Sequence, residues 1–256
     1  MKQIPNLFTL LNLVFGCLAI IFTLQNGIIT TASAATGVEL IDIPEKIWFA
    51  SLFIGLAAVV DFLDGFVARL FKATSEMGKQ LDSLADLVSF GVAPGLIMYQ
   101  FLRLTIAQDE GALDTSIVSL LPALLIPVAA AWRLARFNLD AGQAYTFKGL
   151  PVPAVGLFVA ALPLIYWNIN EDWVLDVLLS QWVLYGIIFL LSGLMVSSIP
   201  MLSLKFEDYT LKNNIPKLVL VAIAVGTFLL LSWVAIPVVV ISYVILSLIF
   251  KPKKVA

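Results

Sequence analysis

Eight apolar runs punctuate the chain, near residues 7–24, 47–66, 84–104, 116–136, 152–168, 177–199, 217–232 and 234–250. A helix rising 1.5 Å per residue needs about 20 predominantly apolar residues to cross the hydrocarbon core of a bilayer. The runs therefore predict an all-α, polytopic membrane helix bundle with about eight transmembrane helices. Charged residues make up 12% of the chain, about half the roughly 25% usual in a soluble domain. Nothing suggests a separate soluble domain. Residues 1–200 read as a transmembrane core and 201–256 as an additional C-terminal hairpin in the same membrane domain.

The basic residues orient the bundle. With eight crossings and the N-terminus inside, all the Lys and Arg residues except Lys46 and Arg103 fall on the cytoplasmic side or at helix ends facing it. Such an excess follows the positive-inside rule. It predicts a multi-pass protein of the cell membrane with cytoplasmic N- and C-termini. It also puts the polar loop 70–80 at the cytoplasmic face. The net charge of -2 says little about partners, and no nucleic-acid partner is expected.

Four aspartates interrupt this apolar background around that loop. Asp61 and Asp64 stand at i, i+3, and Asp82 and Asp86 at i, i+4. Each spacing places its pair on one helix face. Helices two and three, joined by the short loop, bring the four carboxylates together at their cytoplasmic ends. At an effective dielectric near 20, two like charges about 4 Å apart repel by roughly 4 kcal/mol, so the cluster needs cations or protons. The chain has no histidine and one cysteine, Cys17. Intrachain disulfides, Ser-His-Asp chemistry and His-ligated zinc are excluded. Carboxylate oxygens suit hard cations, Mg²⁺ or Mn²⁺. Two divalent ions among four aspartates suit chemistry on a phosphate, with one aspartate acting as base toward an alcohol.

Other polar residues stand on the same side. Asn6 and Thr9 share a face of the first helix and read either as polar packing or as a wall of the site. Gly65 and Ala68 allow close approach of a ligand or another helix. Arg69 is placed to meet a phosphate. Thr74 and Ser75 read as caps or ligand contacts. Gly91 and Gly95 form a small-xxx-small packing pair, possible also as a dimer face. Arg133, Arg136, Asn138 and Lys148 offer a cationic pocket for an anionic group, against the simpler reading of positive-inside anchoring.

Asp61-x-x-Asp64-Gly65-x-x-Ala68-Arg69, then eight residues, then Gly78-x-x-x-Asp82-x-x-x-Asp86 resembles the signature of the CDP-alcohol phosphatidyltransferases. Every fixed position matches. IPNLFTLLNLVFG at the start, SFGVAPG after Asp86, RLARFN at 133–138 and FKGLPVP at 147–153 look like the serine-accepting branch of that family. The resemblance implies transfer of a phosphatidyl group from CDP-diacylglycerol to the hydroxyl of L-serine, with release of CMP. It implies that Asp61, Asp64, Asp82 and Asp86 ligate two divalent metals, and that Asp86 also takes the acceptor's proton. It assigns Asp64, Gly65, Ala68, Arg69, Ser75 and Gly78 to the CDP portion of the lipid, with Asn6 and Thr9 beside them. It further implies a homodimer with the site open to the cytoplasm. Serine carries a carboxylate, for which Arg133, Arg136, Asn138 and Lys148 are the candidates by charge and side. The same chemistry with glycerol phosphate, inositol phosphate or choline, or with an archaeal-type lipid donor, is the alternative. A divalent-cation channel or transporter is a remote one.

Overall fold

The computed structural model describes residues 4–27, 29–32, 39–70, 75–108, 116–139, 147–169, 171–203 and 211–250. Helix α1 (Ile4–Gln25) is followed by an antiparallel hairpin, β1 (Ile29–Ala32) with β2 (Glu39–Asp42), registered with Ile29 opposite Asp42. A single 3₁₀ turn, Glu45–Ile47, leads into α2 (Trp48–Leu70). Next come α3 (Glu76–Asp86), a π-helical turn (Leu87–Val92) and α4 (Ala93–Ala107), one continuous rod. The short α5 (Ile117–Leu120) passes through a 3₁₀ turn at Leu121–Leu124 into α6 (Leu125–Leu139). The remaining helices are α7 (Val152–Asn168), α8 (Asp172–Leu178), α9 (Gln181–Val196), α10 (Leu211–Leu231) and α11 (Ala235–Ile249). A two-residue ladder pairs β3 (Phe147–Lys148) with β4 (Pro200–Met201).

The chain is thus an all-α, polytopic membrane bundle with two small β ribbons at its connections. Five helical stretches are long and apolar enough to cross a membrane: Asn6–Gln25, Glu45–Val67, Glu76–Ala107, Ile117–Leu139 and Asn214–Ile249. A sixth appears if α8 and α9, which meet at 61°, make one span. Helix α7 is apolar but shorter, at 17 residues.

The bundle is organised around the π turn. Ser89, Phe90 and Gly91 are buried there, and α1, α6 and α7 all pack on it. Small residues permit that approach. A Cβ on Gly16 of α1 would lie 2.8 Å from the Cα of Ser89, and one on Gly156 of α7 would lie 2.9 Å from the Cβ of Phe90. Gly91 and Gly95 meet Ala130 and Pro127 of α6. The small-xxx-small pair therefore serves packing within this chain. Outward faces carry exposed apolar side chains such as Leu7, Val59, Phe62, Phe189 and Leu229, as lipid-facing surfaces do.

Candidate active site

Helix α1 packs on both α2 and α3, and aspartates of those two helices meet beside it. Helix α3 begins at Glu76, inside the stretch 70–80 that the sequence reads as a loop. Ser75 caps it, its hydroxyl oxygen accepting from the Gly78 N–H at 3.0 Å, and Glu76 supplies the acidic first turn that suits a helix N-terminus. The periodicity of α3 then places Asp82 and Asp86 one turn apart on the side facing α2.

Asp61, Asp82 and Asp86 each bring one carboxylate oxygen to within 4.8 Å of the others, the one such acidic group among the described residues. Asp61 and Asp82 are half-buried, while Asp86 is only 8% exposed. Asp64 stands beside this trio, within electrostatic range of Asp61 and Asp82. It is buried and accepts a hydrogen bond from the hydroxyl of Thr9. The donor set is all hard carboxylate oxygen, which fits Mg²⁺- or Mn²⁺-type cations and not thiophilic metals. Three mutually close carboxylates hold the charge to bind such an ion.

Helix α1 forms the third wall. Thr9 meets Asp64. Asn12, three residues on and 0% exposed, donates from Nδ2 to Asp86 Oδ1 at 3.1 Å. Its backbone carbonyl accepts from Ser89 Oγ at 3.0 Å. Asn6 is the third member of this polar stripe, and its Oδ1 would lie 3.1 Å from a Cβ on Gly78. Asn12 is absent from the residues picked out by sequence. The available signal was its spacing, since Asn6, Thr9 and Asn12 recur every three residues on one helix face.

The remaining predicted residues distribute unevenly. Gly65 is exposed, with open space where a Cβ would stand. Ala68 and Arg69 lie on the last turn of α2, and their side chains fall outside the described residues. Arg133 on α6 is 9% exposed and within electrostatic range of Asp86. Its buried Nε has no hydrogen-bond partner among the described residues. Arg136 instead turns to α9, donating from Nη1 to the Val196 carbonyl at 3.3 Å. Asn138 ties α6 to α3, donating from Nδ2 to Ser83 Oγ at 2.9 Å, while its own carbonyl accepts from Lys79 Nζ at 3.5 Å. Lys148 sits half-buried in β3.

Comparison with known proteins identifies the family. The profile of the family described as CDP-alcohol phosphatidyltransferase matches residues 2–193. The chain belongs to the CDP-alcohol phosphatidyltransferase family. That match takes in every helix carrying the acidic cluster, and α10 and α11 lie beyond it. Among its relatives in the phosphatidyltransferase family is the CDP-diacylglycerol–serine O-phosphatidyltransferase of Bacillus subtilis. It is 32% identical over 166 residues, covering 65% of this chain and 78% of that protein. The protein of the same name from Mycobacterium bovis is 31% identical over 251 residues, or 95% of this chain and 76% of its own length. The archaetidylserine synthase of Methanothermobacter thermautotrophicus is 29% identical over 160 residues, with 62% of this chain and 56% of that protein covered.

Proposed function

We propose that this phosphatidyltransferase moves the phosphatidyl group of CDP-diacylglycerol to the hydroxyl of L-serine, giving phosphatidylserine and CMP. The observation that carries the reading is the convergence of the Asp61, Asp82 and Asp86 oxygens within 4.8 Å in a chain of this family. Two divalent cations, Mg²⁺ or Mn²⁺, held by these three residues and Asp64, would neutralise the pyrophosphate and the departing CMP. Asp86 takes the proton of the serine hydroxyl as that oxygen bonds to the phosphorus bearing the diacylglycerol. The bond from this phosphorus to the bridging oxygen breaks, and CMP leaves with the electron pair.

The donor lies against the loop side of the cluster. Gly65, Ala68, Arg69, Ser75 and Gly78 hold its CDP portion, with Asn6, Thr9 and Asp64 beneath. Gly65 supports this through the open space above it, and Ser75 through an exposed hydroxyl that still has a hydrogen to donate after capping α3. Arg133 is the centre of the acceptor pocket. Its burial, its reach to Asp86 and its unpartnered Nε suit the serine carboxylate. Lys148 adds a second cation, and Arg136 and Asn138 hold the pocket wall by tying α6 to α9 and α3.

The same reading has eight crossings, with the site and both termini at the cytoplasmic face of the cell membrane. Helices α10 and α11 count separately because Ser232, at φ 47°, turns the chain between them and they pack on each other. One unbroken span of 36 residues would be about 54 Å long against a core of about 30 Å. Helix α7 and the bent α8–α9 pair complete the number. The functional unit is a homodimer, as the family resemblance implies.

Release of CMP by the purified protein, given CDP-diacylglycerol and Mn²⁺, tests the reading. L-serine should support it, and glycerol phosphate, inositol phosphate and choline should not. Preference for another alcohol overturns the acceptor assignment. Undiminished turnover in excess EDTA overturns the metal-dependent mechanism. The similarity to an archaetidylserine synthase favours a second reading with the same acceptor and an ether-linked donor, which a CDP-dialkylglycerol substrate would reveal.

A further inference from the structure

Asn12 occupies an unusual position for a polar side chain. It is fully buried in a membrane-spanning helix, where burying an amide without partners costs on the order of 1–3 kcal/mol on protein scales. An asparagine retained only for packing between helices would satisfy both ends of its amide on neighbouring groups. This one does not. Its Nδ2 donates to Asp86 Oδ1 at 3.1 Å, while its Oδ1 is buried with no partner among the described residues. Chemistry fixes the orientation of the amide, because an ionised carboxylate only accepts.

The surrounding backbone is arranged to make that bond possible. An asparagine side chain is short, so α1 must come close to α3. Gly16, one turn beyond Asn12, allows this by leaving room for Ser89. Ser89 then donates to the Asn12 carbonyl at 3.0 Å. Asn12 thus holds the last residue of α3, Asp86, and Ser89 of the π turn that follows it. A π turn widens the helix just after Asp86 and loosens the register that would otherwise direct this side chain. The bond to one Asp86 oxygen restrains rotation of the carboxylate, which still brings an oxygen within 4.8 Å of those of Asp61 and Asp82.

We infer that Asn12 is a positioning residue for Asp86, holding its carboxylate in the orientation that completes the acidic site with Asp61 and Asp82. This rests on the reading of Asp86 as a ligand of the divalent cation. The test is a double-mutant cycle on the full-length protein in detergent, with no substrate present. The readout is the Mn²⁺ concentration that half-saturates the rise in melting temperature. Asn12→Leu keeps the size and removes the donor. It should raise the half-saturating Mn²⁺ by about 10–100-fold, the usual cost of losing a partner behind a metal ligand. In an Asp86→Asn background the same substitution should add nothing, since coupled residues are not additive. If the leucine variant does not fold, Asn12→Ser serves in the same cycle, its hydroxyl being too short to reach Asp86. An Asn12 substitution with no effect, or with the same effect in both backgrounds, reduces Asn12 to packing and overturns the inference alone. Wild-type Mn²⁺ binding by Asp86→Asn overturns the ligand assignment, and the inference falls with it.

Discussion

Removing one carboxylate from the acidic group should make the metal-free protein more stable and the enzyme inactive. The oxygens of Asp61, Asp82 and Asp86 lie within 4.8 Å of one another. At an effective dielectric of 20, each fully ionised pair at that distance repels by about 3.5 kcal/mol. Asp61→Asn abolishes two of the three pairs, an upper limit of about 7 kcal/mol by the same law. Asp61 and Asp82 are partly exposed, and water and salt screen them, so the realised gain is a fraction of this limit, on the order of 2 kcal/mol. For a chain of this size that is an upward shift in apparent melting temperature of roughly 4–8 °C. The assay is thermal unfolding of the purified protein in EDTA and in Mn²⁺, with CMP release measured in parallel. The variant should melt above wild type in EDTA, gain little from Mn²⁺ and lose at least about 100-fold in rate, as loss of metal-based charge stabilisation requires. If it melts at or below wild type in EDTA, or keeps the full stabilisation by Mn²⁺, the carboxylates are not a strained cation site and the reasoning fails.

Other substitutions separate the roles of the surrounding residues. Thr9→Val removes the hydroxyl that Asp64 accepts from; a hydrogen bond to a charged group is worth about 1.5–3 kcal/mol. The KM for CDP-diacylglycerol should therefore rise roughly 10–100-fold, while an unchanged lipid KM with a raised serine KM would contradict the donor assignment. Arg133→Ala should raise the KM for serine by about 10-fold or more and leave affinity for the CDP-lipid intact, as expected for loss of a carboxylate partner; equal loss for both substrates would show that Arg133 supports the fold and not the acceptor. Gly16→Ala would put a Cβ 2.8 Å from the Cα of Ser89, an overpacking that costs about 1–3 kcal/mol. Thermal unfolding should show it as a drop of a few degrees.

The acidic site was legible because helical periodicity alone brings i, i+3 and i, i+4 carboxylates to one face, and the loop between the pairs is too short to separate them. Charge counting was less discriminating. It grouped Arg133, Arg136 and Asn138 because all lie on one side of the membrane, but side chains three residues apart can reach different neighbours. Arg133 lies within electrostatic range of Tyr243 and Asp86, whereas Arg136 and Asn138 bond to Val196 and Ser83. The π turn after Asp86 has no sequence signature, since LVSFGV would wind equally well as an α-helix. Its stability comes from tertiary packing by α1, α6 and α7. The β1–β2 hairpin was hidden for a similar reason. It is held from outside its own sequence, Tyr166 of α7 donating to Asp42 at 2.6 Å.

Burial within the cluster follows a gradient that matches the chemistry asked of it. Asp61 and Asp82 are partly exposed, while Asp64 and Asp86 are buried against α1. The partly exposed pair keeps some contact with water, which suits exchange of a hydrated cation. The buried pair is the one that α1 grips, Thr9 on Asp64 and Asn12 on Asp86. Four carboxylates on two helices would repel and splay if left to themselves. A third helix donating one hydrogen bond to an aspartate of α2 and one to an aspartate of α3 offsets part of that repulsion and fixes orientation without adding a competing positive charge. A lysine at position 9 or 12 would neutralise the site and displace the cation. A neutral donor holds the carboxylates in place and leaves their charge for metal and phosphate. That requirement explains why the polar stripe of α1 is built from asparagine and threonine.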